Sequence, residues 1–534
     1  MTSSTACVGE VPRGAGGGSE PAHGGGQSAE VALLLAPYRP DDAQSDGLFR
    51  FTAGYEVEAF DATNVRVHFT RTGPDKVKAT DSDADGVPDA VQTVARTYED
   101  VIAFYEGLGF RGPVTDLGAP QGDGGDGRLD VYLVDFAGAS DGAWVRERCE
   151  VAHARCSGYV VQENDYTGYG YPTFSYATRI LASHELFHAV QAAYDADQGS
   201  NWSEATAVWA TERFDDTLSD FESFTAGWLA LPSRSIDQDP IGPVDAYAYG
   251  LSIFAQFLWE RFGDEVHLAI WEGVEDGAGG VADPKWRDVV EGVLARDFET
   301  TFAAEWVTFA QWVLRCGQGA SGGETFASAA RLDRVARETA NLPFSKEKLR
   351  VYATSLQVWS VVPGGRPEVV AALVEGAAGD ADGLVLVVGK RKGNAVVTEV
   401  VEGLEAVIDT RGQDEIIVAV VSTNREGASK RPGLCLGTVD EVATCRAGIE
   451  PVAEVGPEVV EEAEVVEIPD VADVAEEASD IGSSDADASD AGVVESGAKD
   501  DGGCAGGGAS GLGVAVVLGA LWAWRRRVGG GTHV

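Results

Sequence analysis

The chain has 534 residues, with 86 acidic against 40 basic side chains and a formal charge of −46. That length exceeds one ordinary core, so at least two folded units with extensions are expected. The charge speaks against nucleic acid as a partner, because no net cationic surface exists to displace phosphate counterions.

Residues 1–29 are rich in Gly, Ser and Pro and read as a disordered N-terminal segment. They hold neither a basic n-region nor an apolar h-region, so the given start is expected to lie inside or after an export signal, with Cys7 as a remnant of its cleavage site. "VRVHFT", residues 65–70, alternates as a strand. Val91, Val94, Tyr98, Ile102 and Tyr105 recur at three and four and predict an amphipathic helix ending near Gly107. "RLDVYLVDF", residues 128–136, and "CSGYVVQE" read as further strands. Helices are expected over 173–195, 202–214, 245–263, 284–297 and 300–315, the third with Phe254, Phe257, Leu258 and Phe262 on one face.

After Leu342 the texture changes to β-branched runs broken by Gly and Pro, such as "GLVLVVGK" and "EIIVAVVST", which predict a small β-sandwich over 343–447. Residues 448–503 form an acidic, disordered linker: from Pro451 to Gly503 there are 17 acidic residues against Lys499 alone. Residues 504–534 open with "CAGGGASGLGVAVVLGALWAWRRRV", an uncharged run of membrane-spanning length followed by Arg525, Arg526 and Arg527. The expected class is α+β: a mainly helical domain with a small sheet at 30–342, then the sandwich, the linker and a C-terminal hydrophobic helix. Cys149 with Cys156, and Cys435 with Cys445, are spaced for short-loop disulfides, which points to an oxidising compartment.

"HELFH", residues 184–188, places His184 and His188 on one helical face with Glu185 beside them, the HExxH pattern of zinc hydrolases. Zinc would activate a water with Glu185 as general base. The competing reading is two satisfied histidines on a buried helix. The extended HExxHxxGxxH pattern fails, since Gln191 and Tyr194 stand at its glycine and third histidine. A third ligand must come from the next helix, where Glu204 in its first turn is the candidate and Glu212 the substitute or an outer partner. This is a zincin-like, gluzincin-type arrangement. Tyr249, with Tyr247 beside it, is a candidate to stabilise an oxyanion, against plain core packing; His267 and His153 are weaker candidates.

"DSDADGVPD" is the front half of an EF-hand-like loop over 81–92. Asp81, Asp83, Asp85, the Val87 carbonyl, Asp89 and Gln92 are the expected calcium ligands; neutral Gln92 stands where a bidentate acid belongs, so the affinity would be weak and extracellular in grade.

"ASHELFHAVQAAYD" followed by "NWSEATAVWATE" resembles the MXAN_6640-type metalloproteases of myxobacteria and other bacteria, in which a W-x-E-x-x-A-x-W element follows the HExxH helix; Trp202, Glu204 and Trp209 fill it here. The resemblance spans about residues 60–320. It implies His184, His188 and Glu204 as zinc ligands and Glu185 as base. The cysteine, glycine spacer, short span and arginines of the tail resemble the MYXO-CTERM sorting signal. That implies a sorting peptidase acting near Cys504, transient membrane anchoring by the C-terminal helix, and an exported, surface-displayed or secreted protein. The expectation is thus a monomeric zinc metallopeptidase of extracellular proteins or peptides with a structural calcium ion. The rival class is a non-catalytic, calcium-binding surface adhesion or ligand-binding protein with a structural or decayed metal site.

Overall fold

A computed structural model describes residues 38–42, 49–119, 122–151, 154–238 and 245–449. The expected N-terminal segment, the acidic linker beyond residue 449, the tail at 504–534 and His153 lie outside the described residues. The architecture is α+β.

Strands β1 (Val57–Asp61) and β2 (Val65–Thr70) pair antiparallel, and α1 (Asp89–Gly107) crosses over to β3 (Leu129–Val134), parallel to β2. The five periodic residues expected to face the core from α1 are all buried. Strands β4 (Gly142–Val151) and β5 (Ala154–Glu163) complete a sheet ordered β1-β2-β3-β5-β4. Because β5 inserts parallel to β3 and antiparallel to β4, β4 becomes the edge strand. Cys149 and Cys156 face each other across this hairpin as a disulfide. Residues 38–42 are held on the sheet by Arg39, whose buried guanidinium meets Asp116, Asp130 and Glu147; Asp130 also meets His68.

Helices α2 (Phe174–Ala192) and α3 (Ser200–Phe214) follow, and both are buried on nearly every face. These two helices lie at the centre of the core although they bury polar side chains, Glu185, His188 and Gln191 on α2 and Ser203, Glu204 and Thr206 on α3. Then come α4 (Asp220–Leu229), α5 (Ala246–Gly250), α6 (Ser252–Phe262), α7 (Glu265–Gly273), α8 (Trp286–Asp297) and α9 (Phe302–Leu314). The single helix expected over 245–263 is two, broken at Leu251. Close approach accompanies the break: a Cβ on Gly250 would lie 2.3 Å from the Trp228 backbone nitrogen, and one on Gly227 2.0 Å from the Ala246 carbonyl. Only glycines let α4 and α5 come this near.

The β-rich half comprises β6 (Glu338–Ala340), β7 (Phe344–Lys346), β8 (Leu356–Val361), β9 (Glu368–Val374), β10 (Leu384–Lys392), β11 (Ala395–Val400), β12 (Glu405–Asp409), β13 (Glu415–Ser422) and β14 (Gly433–Gly437), closed by α10 (Val439–Gly448). Its sheets run β11-β10-β13-β8-β6 and β12-β9-β14-β7, and they share a core of Trp359, Leu386, Val418 and Val420 against Leu373, Ile408, Leu434 and Leu436. The opposite face of the first sheet, through Val358, Val387, Ile417, Ala419 and Val421, joins the same core as the helices. Burial on both faces explains why "EIIVAVVS" is apolar throughout instead of alternating. The Cys435–Cys445 disulfide ties α10 to β14. Among the described residues no helix is long and apolar enough to cross a membrane.

Candidate metal centre

Helix α2 is fixed before it presents any ligand. Thr173 caps its start by accepting the Tyr176 N–H, the Tyr105 hydroxyl donates to the Ser183 carbonyl at 2.8 Å, and Ser183 Oγ sits 3.1 Å from Thr211 Oγ1 on α3. Helix α3 is anchored by its opposite face. Trp202 stacks on Trp286 with ring centroids 4.5 Å apart, and Trp209 packs 4.0 Å from the His267 ring. Glu204 lies two residues from Trp202, about half a helical turn around, so seating the tryptophans in the core turns Glu204 the other way, toward α2.

There three donor atoms meet. His184 Nε2 lies 3.3 Å from Glu204 Oε2 and 3.3 Å from His188 Nε2, and His188 Nε2 lies 3.6 Å from Glu204 Oε2. Three donors at about 2.0–2.2 Å from one tetrahedral ion are separated by about 3.3–3.6 Å, so the spacing fits zinc. The donor set, two imidazoles and a carboxylate, also suits zinc better than calcium or magnesium. Three protein ligands leave a fourth position open.

The outer contacts set the histidine tautomer. His188 Nδ1 is 2.8 Å from Gln191 Oε1, whose amide orientation is fixed because Gln191 Nε2 donates to the Ser203 carbonyl at 2.8 Å and to Thr206 Oγ1 at 3.0 Å. An amide oxygen only accepts, so Nδ1 always carries a proton; burial works against the charged ring, but Glu204 outweighs it and raises His188 to about 9, so a metal binding at Nε2 would displace the second proton. Among the described residues His184 Nδ1 has no such partner.

Glu185 is fully buried. The Trp144 backbone N–H on edge strand β4 donates to its Oε2 at 2.7 Å, while Oε1 meets no protein donor among the described residues. Burial raises the Glu185 carboxyl to about 7, only partly offset by His188 and the Trp144 N–H. Burial alone would raise Glu204 as well, but His188 and His184 outweigh it and hold the carboxyl at about 2. Burial also pulls His184 down to about 4 and keeps it neutral, as a ligand must be. A small cavity of about 10 Å³ beside His188, Trp144, Gln191 and Ser203 has room for about one water.

The other expected site residues divide. Glu212 is not brought to the histidines; it lies in the field of Glu222, Asp216 and Asp220 with Arg331, and burial raises it to about 8. Tyr249 is brought there: its ring stacks 6.0 Å from His184, backed by Phe224 at 5.0 Å. Tyr247 instead donates to the Arg234 carbonyl at 2.8 Å, and His267 Nε2 meets the Ala255 carbonyl at 2.9 Å within the tryptophan core. In the 81–92 loop, carboxylate oxygens of Asp81, Asp83 and Asp89 gather within 4.8 Å of one another. Asp85 is turned aside, accepting from the Val87 N–H at 2.8 Å and the Gln92 amide at 2.8 Å, so Asp85 and Gln92 bind each other. Gln191, Ser203 and Trp144 carry no motif signal in the sequence, where Gln191 merely stands at the glycine position of a pattern the chain does not follow.

No family model matches the chain, and a search of curated proteins finds no significant relative.

Proposed function

We propose that the chain is a zinc-dependent metallopeptidase of the gluzincin type, in line with its resemblance to the MXAN_6640-type proteases. The observation that carries this reading is the convergence of His184, His188 and Glu204 at zinc-ligand spacing beside the buried carboxylate of Glu185. Bound there, zinc would lower the pKa of a coordinated water and polarise a peptide carbonyl. Glu185, oriented by the Trp144 N–H, takes the water's proton on its unbonded Oε1 and delivers it to the leaving amine. Gln191 holds Nδ1 of His188 protonated, and Tyr249, whose ring stacks beside His184, is the candidate to steady the developing oxyanion. The loop at 81–89 would hold calcium through Asp81, Asp83 and Asp89, whose carboxylate oxygens lie within 4.8 Å of one another. Export to an oxidising compartment suits the two disulfides, with the C-terminal helix as a sorting anchor.

The test is metal analysis together with peptide and casein cleavage. Zinc-loaded wild type should cleave, Glu185→Gln should retain zinc and lose about 10²–10⁴-fold in rate, and Glu204→Gln should lose the metal. Activity that persists in Glu185→Gln overturns the assigned base. Calcium should raise the melting temperature of wild type and leave an Asp81→Asn, Asp83→Asn variant unmoved.

One observation favours the second reading, a structural metal site in a non-catalytic surface protein: the three ligands are at most 5% exposed and the adjoining cavity admits little more than one water. Under that reading zinc removal lowers the melting temperature while no peptide is cleaved.

A further inference from the structure

Outside the metal centre the molecule has a cleft of about 570 Å³, within the range of small-ligand sites. It opens where parallel strands β3 and β5 end, between residues 135–138 and 163–169, with Lys76 on its rim. Carboxyl ends of adjacent parallel strands are where loops diverge and leave such crevices.

Two walls of this cleft are nearly fully buried polar side chains. Glu163 is 2% exposed; its Oε2 accepts the Phe136 N–H at 2.8 Å and the Tyr169 hydroxyl at 2.9 Å, and among the described residues nothing donates to Oε1. Asn164 is 3% exposed; its Nδ2 donates to the Pro74 and Lys76 carbonyls at 3.2 and 3.1 Å, which fixes the amide and leaves Oδ1 without a donor among the described residues. Two acceptors held rigidly, lining one cleft and given no donor by the described residues, are open to a donor from the solvent side. Asp135 and Asp165 line the same cleft, so three carboxylates stand against the single ammonium of Lys76. The ligand should therefore carry positive charge. Among the described residues carboxylate oxygens here do not gather as a metal ion needs, whereas His184, His188 and Glu204, and Asp81, Asp83 and Asp89, do. A polyatomic cation with several N–H donors fits the width and the acceptor pattern where a bare ion does not.

We propose that this cleft binds an organic cation, a guanidinium or primary ammonium group, with Glu163 and Asn164 receiving its N–H donors and Asp135 and Asp165 supplying the field. Burial raises the Glu163 carboxyl to about 7, and a bound cation offsets that desolvation.

Calorimetric titration of the full chain tests this with three probes: agmatine, a Gly-Gly-Arg-Gly-Gly peptide, and the same peptide with neutral, isosteric citrulline. Agmatine or the arginine peptide should bind at least tenfold more tightly than the citrulline peptide. Agmatine binding alone identifies a free small cation, and peptide binding a basic side chain in a chain. Glu163→Gln should lose at least tenfold, with its melting curve taken in parallel. Asp135→Asn with Asp165→Asn keeps the Oδ1 acceptors for the Ala137 and Thr167 N–H groups and should lose severalfold, giving a variant that spares the buried position. Equal binding of arginine and citrulline peptides, no binding of any probe at millimolar concentration, or unchanged affinity in both variants overturns the proposal.

Discussion

Replacing Gln191 by alanine tests whether the outer contacts of His188 matter to the metal. The wild-type amide takes part in four hydrogen bonds: Oε1 with His188 Nδ1 at 2.8 Å and Ser203 Oγ at 2.7 Å, and Nε2 with the Ser203 carbonyl at 2.8 Å and Thr206 Oγ1 at 3.0 Å. At a net value of about 1 kcal/mol each the upper bound is about 4 kcal/mol. Part is recovered, because Ser203 Oγ already lies 3.3 Å from His188 Nδ1 and can turn to it. The expected loss of stability is therefore about 2–3 kcal/mol. Zinc affinity should fall by about 10–100-fold, or about 1.4–2.7 kcal/mol, since the imidazole regains rotation and its proton can move to Nε2. A competition titration against a chromophoric chelator measures this. Thr206→Val, which breaks one bond to Gln191 but none to His188, serves as control and should bind zinc within threefold of wild type. A folded Gln191→Ala with zinc affinity also within threefold would refute the reasoning.

Arg39→Ala leaves Asp116, Asp130 and Glu147 buried beside one another without their cation, and denaturant unfolding should show a loss of about 3–5 kcal/mol; a loss below about 1 kcal/mol contradicts the clamp. Glu212 is raised from 4.5 to about 8 by burial and then by Glu222, so its contribution is fully present below pH 4.5 and is lost as pH rises through 8. Glu212→Gln should therefore gain on wild type between pH 5 and 9 by about 1–2 kcal/mol after allowance for solvent screening; urea midpoints that shift in parallel at both pH values refute it.

The His184, His188 and Glu204 cluster was legible in sequence where side chains carry the signal. "HELFH" and the Trp-flanked Glu204 are periodic features of two helices, and the helices found at 174–192 and 200–214 stand close to the expected spans. The partner of Glu185 was not legible, because Trp144 contributes a backbone N–H that any residue could supply and the edge position of β4 arises from long-range strand order. Gln191 escaped for a different reason: judged against one motif it was a mismatch, while its amide serves a role that spacing alone does not reveal. The break at Leu251 was hidden because α5 and α6 keep one apolar period across it, and the close approach to α4 concerns residues far along the chain. Strand β9, "EVVAALV", is too short and too uniformly apolar to show alternation.

At its centre the first sheet of the β-rich half is covered on both faces, while edge strand β11 keeps Val397 and Val400 exposed. One side meets the second sheet, and the other joins the helical core, where Phe309 of α9 packs 5.1 Å from Trp228 of α4, whose backbone touches Gly250 next to Tyr249, whose ring stacks on His184. Cutting the chain near residue 342 would bare apolar surface on both sides of the cut, so neither half is built as a tethered module. A change of volume in β10 or β13 is passed directly to the helices behind it.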